Sequence, residues 1–234
     1  MKNKIQENKI PQHIGIIMDG NRRWARSRGL PTLQGHKKGY DKVLKVGDWC
    51  LEEGVKILSV YAFSTENWNR SKKEVGYLMK LLKRGLETDI RKLHKKNIKV
   101  QVLGRIKELS QDLQKAIKDT MELTKNNTKG VLNICINYGG RAEIIDAIKE
   151  MIKDKISPIQ VTKKLVANYL YTKAQPDPDL IIRTSGEQRL SNFLTWQASY
   201  SELYFIKKHW PAFNRKDLQK AIKEYSNRQR RFGG

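Results

Sequence analysis

The chain has 234 residues, of which 38% are hydrophobic and 30% charged, a balance that suits one globular domain and excludes a wholly disordered chain. Its apolar runs are too short to cross a bilayer and its N-terminus lacks a signal-peptide core, so we expect a cytoplasmic protein. Two distant cysteines, Cys50 and Cys135, indicate neither a disulfide framework nor a zinc cluster. The net charge of +23 predicts an anionic partner and leaves nucleic acid, acidic lipid and phosphorylated small molecules open.

Short runs of apolar and β-branched residues predict buried strands. They cover residues 14–18, 56–63, 99–103, 131–136 and 180–182. Helical patterns lie between them, and strands that alternate with helices favour a mainly parallel sheet covered on both faces. The sequence therefore predicts a single α/β domain.

Two of the predicted helices have clear starting signals. Ser71 followed by Glu74 fits a capping box, and the apolar stripe that follows predicts one long helix reaching Leu93. Asn214 marks the start of a final helix that ends near Tyr225.

Polar clusters follow three of the predicted strands, at residues 19–23, 64–70 and 183–191. Ligands of open parallel sheets bind at the carboxyl ends of strands, so we expect these clusters to meet. In the first cluster, glycine, arginines and a helix start suit a diphosphate, and Asp19 suits Mg²⁺. A simple turn is the alternative interpretation of its Asp-Gly-Asn sequence.

The other two clusters offer hydroxyl, amide and guanidinium groups. Arg183, Arg189 and Ser191 match a second diphosphate, although pairing of the arginines with Glu187 is the competing interpretation. Further along, Glu202 is either a second metal ligand or a charge at a strand edge.

Seven ordered blocks resemble the cis-prenyltransferase family over residues 13–234. They are HIGIIMDGNRRWA, GHKKG, YAFSTENWNR, INYGGR, DLIIRTSGEQRLSNFLTWQ, SELYF and the terminal RRFGG. The resemblance implies an enzyme that condenses isopentenyl diphosphate with an allylic diphosphate such as farnesyl diphosphate. The product would be a long polyprenyl diphosphate of the undecaprenyl type, a lipid carrier precursor for cell-wall synthesis.

The resemblance also implies an architecture: a catalytic domain over residues 13–234, whose helices and mainly parallel sheet enclose a hydrophobic tunnel, preceded by a flexible segment over residues 1–12. A homodimer is expected, in which the terminal Arg231-Phe-Gly233 reaches a neighbouring active site. The apolar product leaves room for a peripheral membrane contact during its release, and no nucleic acid is expected.

Site residues carry over by position. Asp19 is expected to bind Mg²⁺ and to promote departure of the allylic diphosphate, which would contact Gly20, Asn21, Arg22, Arg23, Trp24 and His36. Isopentenyl diphosphate is expected on Arg183, Arg189 and Ser191, with Glu202 assisting the metal from the same or the other subunit. The loop that orients the attacking double bond comprises Ser64, Thr65, Glu66, Asn67, Trp68 and Arg70.

The base that removes the final proton stays open between a diphosphate oxygen, Asp19, and Ser64 with Asn67. The sequence departs from the family pattern at Arg22 and Ser185, where glycine is frequent, and at Thr32, where arginine is frequent. Two other classes of protein remain as alternatives: a nucleic-acid-binding protein, suggested by the charge, and a catalytically silent partner subunit.

Overall fold

The computed structural model describes residues 9–228, and its centre is one six-stranded sheet in the order β3-β4-β2-β1-β5-β6. All of its strand pairs are parallel. The strands are β1 His13–Ile17, β2 Ile57–Ser64, β3 Ile98–Leu103, β4 Gly130–Tyr138, β5 Leu180–Thr184 and β6 Glu202–Ile206. The sheet confirms the predicted α/β class, and β6 adds a strand that sequence patterns did not predict.

Helices cover both faces of this sheet and connect its strands. They are α1 Asn21–Arg26, α2 Thr32–Glu52, α3 Lys72–Arg84, α4 Ile90–Lys95, α5 Gln111–Thr124, α6 Gly140–Lys153, α7 Lys163–Tyr169 and α8 Arg215–Asn227. The last of them starts as predicted, because Asn214 and Asp217 form a reciprocal capping box. Within residues 9–228, none of the helices has both the length and the apolar content that a bilayer crossing requires.

The two faces of the sheet are separated by the alternation of side chains along β1 and β5. Ile14 and Ile16 pack in the same core cluster as the buried side chains of α2 and α8, whereas Ile17 packs in a second cluster with Phe193 and Tyr138. Successive residues of a strand point to opposite faces, so one short run supplies both cores. This arrangement places α2, α3 and α4 on the face that holds the main cavity.

The helix predicted to run without interruption from Ser71 to Leu93 is broken by a π-helical turn at Gly85–Asp89. Tyr40 of α2 donates a hydrogen bond to Asp89 Oδ2 at 2.6 Å, and a Cβ on Gly85 would lie 2.5 Å from the Tyr40 hydroxyl oxygen. A π turn inserts one extra residue into the helix, which allows the helix to pack around this tyrosine.

The chain already packs against the sheet before residue 13. Gln12 donates its backbone N–H to Asp179 Oδ2 at 2.8 Å, and its carbonyl accepts from the backbone of Lys56 and Ile57. Pro11 is buried. The expected boundary between residues 12 and 13 stays a prediction; residues 1–8 and the terminal Arg231-Phe-Gly233 lie outside the described residues.

Candidate active site

A cavity of about 780 Å³ lies between the sheet and helices α2 to α4. Its wall at the carboxyl ends of β1 and β5 is polar and includes Asp19 and Arg183. Its interior is apolar, with lining residues that include Leu78, Leu82, Leu86, Leu93, Leu132 and Ile136. The cavity therefore has a charged mouth and an apolar interior. The expected use of this interior as a tunnel for the product stays a prediction.

The mouth is organised by an ion pair between the first and third clusters. Arg183 donates to Asp19 Oδ2 from Nη2 at 2.7 Å and from Nε at 3.0 Å, and its Nη1 donates to Ser191 Oγ at 2.9 Å and to the carbonyl of Arg189. The Arg183 side chain is only 4% exposed, whereas that of Asp19 is 33% exposed. A buried guanidinium is thus neutralised by an acid that still faces solvent.

The turn after β1 depends on glycine at position 20. Gly20 has φ of 100°, and a Cβ there would lie 2.6 Å from Ser185 Oγ and 2.7 Å from His209 Nδ1. Ser185, where the family frequently has glycine, itself has φ of 78° and hydrogen-bonds His209 Nδ1 at 2.6 Å. Asn21 also lines the mouth, and its buried Oδ1 has no hydrogen-bond partner within the described part of the chain.

Glu74 draws three cavity-lining residues together. Its carboxylate lies 3.0 Å from His36 Nε2, 3.3 Å from Arg70 Nη1 and 3.7 Å from Arg22 Nη1. Burial lowers the pKa of His36, although the hydrogen bond that His36 Nε2 makes to the Glu74 carboxylate opposes this shift. Sequence reasoning assigned Glu74 only to a helix cap and missed this cluster; the spacing of four residues from Arg70 was the available signal.

In the cap itself, Ser71 Oγ accepts from the backbone of Glu74 at 3.3 Å, so half of the predicted capping box is present. The Glu74 side chain instead pairs with Arg22, His36 and Arg70, which line the mouth. A residue that belongs to a local helix signal therefore contributes to the charge of the site.

The second cluster folds into a short 3₁₀ helix whose residues partly bond to one another. Asn67 Oδ1 accepts from the backbone of Ser64 at 3.3 Å, within a reciprocal capping box of these two residues. Ser64, Glu66, Asn67 and Arg70 line the cavity. Trp68 donates to Asn137 Oδ1 at 2.7 Å, and Thr65 and Trp68 are not among the lining residues.

Arg189 does not bring its side chain into the mouth. It pairs with Glu187 at 2.7 Å and is 61% exposed. Glu187 also binds Arg23 at 2.9 Å, so this acid links the first and third loops. The structure thus favours the interpretation in which Arg189 pairs with Glu187. A role for Arg189 in substrate binding stays a prediction.

Glu202 and Trp24 also lie apart from the cavity wall. Glu202 is the first residue of β6 and pairs with Arg228 at 2.7 Å. Glu202 is opposite Leu180 of β5, whereas Phe205 is opposite Arg183. Three residues of strand, about 10 Å, therefore separate Glu202 from the level of Arg183 at the mouth. The parallel register therefore does not bring Glu202 to Asp19 within one chain. Trp24 is half-buried, with the Arg28 guanidinium stacked 4.6 Å from its ring centre.

No group of three acidic, histidine or cysteine side chains able to enclose a metal ion occurs between residues 9 and 228. A single carboxylate at an open mouth still fits Mg²⁺, which keeps several waters and commonly binds one or two carboxylates together with substrate phosphates. Asp19 is such a carboxylate.

The chain is similar to known proteins over almost its whole length. A family model described as putative undecaprenyl diphosphate synthase matches residues 17–233. An isoprenyl transferase of Clostridium perfringens is 50% identical over 232 residues, which cover 97% of this chain and 92% of the relative. An isoprenyl transferase of Thermotoga maritima is 48% identical over 228 residues, which cover 97% of this chain and 98% of the relative.

Solved structures agree with these relatives. Lavandulyl diphosphate synthase from Lavandula x intermedia, in complex with dimethylallyl diphosphate, has a TM-score of 0.92 and 35% identity, covering 96% of this chain and 99% of that chain. A probable undecaprenyl diphosphate synthase from Campylobacter jejuni has a TM-score of 0.81 and 34% identity, covering 97% of this chain and 100% of that chain. Since family model, relatives and structures each span almost the whole chain, this protein is a prenyltransferase and belongs to the putative undecaprenyl diphosphate synthase family.

Proposed function

We propose that this enzyme condenses isopentenyl diphosphate with an allylic diphosphate such as farnesyl diphosphate, with Mg²⁺ as cofactor. The product is a long polyprenyl diphosphate that serves as the precursor of a cell-wall lipid carrier. The observation that carries the proposal is the Asp19–Arg183 pair at the mouth of a cavity whose interior is apolar. Anionic head groups suit the mouth, and an isoprenoid chain suits the interior.

In this reaction the allylic C–O bond breaks, a C–C bond forms to isopentenyl diphosphate, and a proton is lost. Mg²⁺, when bound, stabilises the negative charge that develops on the departing diphosphate. Asp19 would hold the ion, while Arg22, Arg70 and His36 line the mouth where the diphosphate sits. The two guanidinium groups among them are preorganised cations, which stabilise such charge without rearranging during the reaction.

The second diphosphate would bind on Arg183 and Ser191, whose hydrogen bond aligns two donors at the ends of β5 and its loop. Ser64 and Asn67 lie on the cavity wall, where they can orient the attacking double bond. The final proton acceptor remains open among a diphosphate oxygen, Asp19, and Ser64 with Asn67.

A homodimer in the cytoplasm is part of the proposal. Glu202 would then complete a metal site only from the other subunit, because its place at the start of β6 separates it from Asp19 of its own chain. Release of an apolar product involves a peripheral contact with a membrane.

The experiment is to incubate the purified protein with farnesyl diphosphate, radiolabelled isopentenyl diphosphate and Mg²⁺, and to size the labelled products by chromatography. We expect a ladder of long polyprenyl products that is absent when a chelator removes the metal. Absence of elongation, together with salt-dependent retention of oligonucleotides, would instead support the nucleic-acid-binding alternative.

A further inference from the structure

Large exposed apolar side chains concentrate in one stretch of the chain, residues 145–164, which runs from α6 into α7. Five of the nine such side chains in the described part of the chain are Ile145, Ile148, Ile152, Ile159 and Val161. The first three lie at helical spacing on one side of α6, and Ile152 and Ile159 are 71% and 93% exposed. A concentration of apolar side chains on a protein surface indicates an interaction site.

The same segment is rich in positive charge. Its exposed lysines are Lys149, Lys153, Lys155, Lys163 and Lys164. Its three acids already have partners: Asp146 pairs with Arg105 at 2.9 Å, Glu150 pairs with Lys153 at 3.3 Å, and Asp154 accepts from the Tyr169 hydroxyl at 2.9 Å. Five lysines against three acids leave this segment with an excess of positive charge beside its exposed apolar side chains in sequence. We call these ten apolar and lysine side chains the α6–α7 patch.

Helix α7 adds to the patch a helix without a buried side chain. Its only side-chain cap is Thr162, which accepts from the backbone of Leu165 at 3.1 Å. A helix of seven residues gains little from propensity alone, and within the described part of this chain α7 is held by half-buried side chains, its contact with α6 and the hydrogen bond from Tyr169 to Asp154. Further packing against a partner would therefore stabilise it.

We propose that the α6–α7 patch docks on an anionic lipid bilayer, with Ile152, Ile159 and Val161 entering the headgroup region and the lysines binding lipid phosphates. Charge selects this occupant. A second copy on a two-fold axis would bring the same lysines against one another, whereas anionic lipids neutralise them. The inference rests on the proposed function for its purpose, since the proposed product is an anionic lipid that must reach a bilayer.

The patch is separate from the cavity. None of its ten side chains lines the cavity. Helix α6 packs on the opposite face of the sheet from the α2 and α8 core, because its buried Glu143 accepts a hydrogen bond from Tyr138, which belongs to the core cluster of Ile17 and Phe193. Docking of the patch would therefore leave the mouth open, and substitutions in the patch should leave turnover of water-soluble substrates unchanged.

The test measures sedimentation of the full chain with vesicles of mixed phosphatidylglycerol and phosphatidylcholine, and with vesicles of phosphatidylcholine alone. We expect binding only to the anionic vesicles. Lys163→Gln with Lys164→Gln should weaken this binding about 25-fold, and Ile159→Ser about tenfold. The matched controls are Lys118→Gln with Lys129→Gln and Leu123→Ser, which alter exposed residues outside the patch and should change little.

Three results would overturn the inference: no binding to either vesicle, equal binding by patch and control variants, or loss of an oligomer in Ile159→Ser with vesicle binding intact. Prenyl transfer assayed without vesicles separates the two proposals. Turnover without vesicle binding refutes the docking surface alone, and vesicle binding without turnover refutes the proposed function alone.

Discussion

At the scale of single residues, the mouth of the cavity is built around one guanidinium group. Arg183 uses Nε and Nη2 on Asp19 and Nη1 on Ser191, so it fixes two loops that are distant in sequence. Asp19 is in turn the acid that we assign to Mg²⁺. The proposed metal site and the proposed second diphosphate site would therefore share a charge pair, and a change in one should alter the other.

Replacing Arg183 with lysine tests this sharing, because an ammonium group cannot reproduce a planar fork of donors. For Arg183→Lys we expect a loss of stability of about 1–3 kcal/mol and a rise of tenfold or more in KM for isopentenyl diphosphate. Steady-state kinetics and urea unfolding measure the two effects. Arg105→Lys is the control, since Arg105 binds Asp146 through two donors outside the cavity wall and should lose stability without a change in KM.

Arg22 gives a second prediction at this scale. It lines the mouth and lies 3.7 Å from Glu74, but it is half exposed, so the ion pair should add less than about 1 kcal/mol to stability. Arg22→Ala should therefore leave the unfolding midpoint nearly unchanged while raising KM for the allylic substrate several-fold. Arg28→Ala, which removes a guanidinium stacked on Trp24, serves as control. Equal KM values in both variants would remove Arg22 from the binding site.

At the scale of elements, the π turn between α3 and α4 shapes the cavity wall. Tyr40, Gly85 and Asp89 all line the cavity, and the hydroxyl of Tyr40 occupies the space that a side chain at Gly85 would need. The close contact between Gly85 and Tyr40 thus sets how near α3 and α4 lie to α2 across the cavity. A bulkier residue at position 85 must push these helices apart or reorient Tyr40.

We expect Gly85→Ala to destabilise the protein by about 1–3 kcal/mol, as overpacked core positions do, and to shorten the products by narrowing the cavity. Thermal unfolding and product sizing measure these effects. Gly76→Ala in the same helix is the matched control, because a Cβ there meets nothing within 4 Å, and it should stabilise by about 0.5–1 kcal/mol. Similar destabilisation by both substitutions would show that Gly85 has no special packing role.

The elements that were predictable from sequence are those with local signals. The five apolar runs became strands, and the Asn214 cap became the start of α8. β6 was missed because Glu202–Ile206 is short, half-exposed and at the sheet edge, so it lacks the apolar run of a central strand. The π turn was missed because its cause is Tyr40, a residue that lies on another helix.

In the site, too, contacts with a sequence signal differ from contacts that only the structure shows. Asp19, Arg183 and Ser191 meet because Asp19 follows β1, Arg183 lies near the carboxyl end of the neighbouring β5, and Ser191 lies in the loop after β5, a placement that motif order and topology predict together. Two of the other contacts also had a sequence signal: the spacing of four residues between Arg70 and Glu74, and the competing pairing of Glu187 with Arg189. The contacts of Glu74 with His36 and of Glu187 with Arg23 join segments that are distant in sequence, so they required the structure.

At the scale of the whole molecule, a buried histidine links the strands of the sheet. His13 of β1 lies 2.8 Å from the carbonyl of Pro176 through Nδ1 and 2.7 Å from Ser59 Oγ through Nε2. The neutral ring satisfies both contacts by donating to the carbonyl and accepting from the hydroxyl. Burial lowers the pKa of His13 from 6.5 to about 4, against the opposing effects of Pro176 and Asp179.

This pKa predicts acid sensitivity. Between pH 6.5 and about 4, His13 is protonated in the unfolded chain but stays neutral in the folded protein. The free energy of unfolding should therefore fall by about 3 kcal/mol as the pH drops through this window. His13→Gln should be less stable at pH 7 but should lose less stability on acidification. Urea unfolding at several pH values measures both slopes. The exposed His94→Gln should keep the wild-type slope, and an equal slope in His13→Gln would contradict the prediction.

The most direct test of the account is Mg²⁺-dependent release of inorganic diphosphate from farnesyl and isopentenyl diphosphates by the wild type, Asp19→Asn and Asp146→Asn. Asp146 pairs with Arg105 in an Asp–Arg contact outside the cavity wall, which matches the chemistry of the Asp19 pair. We expect Asp19→Asn to lower kcat by about 10²–10³ or more with its fold retained, and Asp146→Asn to remain active. Wild-type turnover in Asp19→Asn, or equal losses in both variants, would contradict the assignment of the mouth as the catalytic centre.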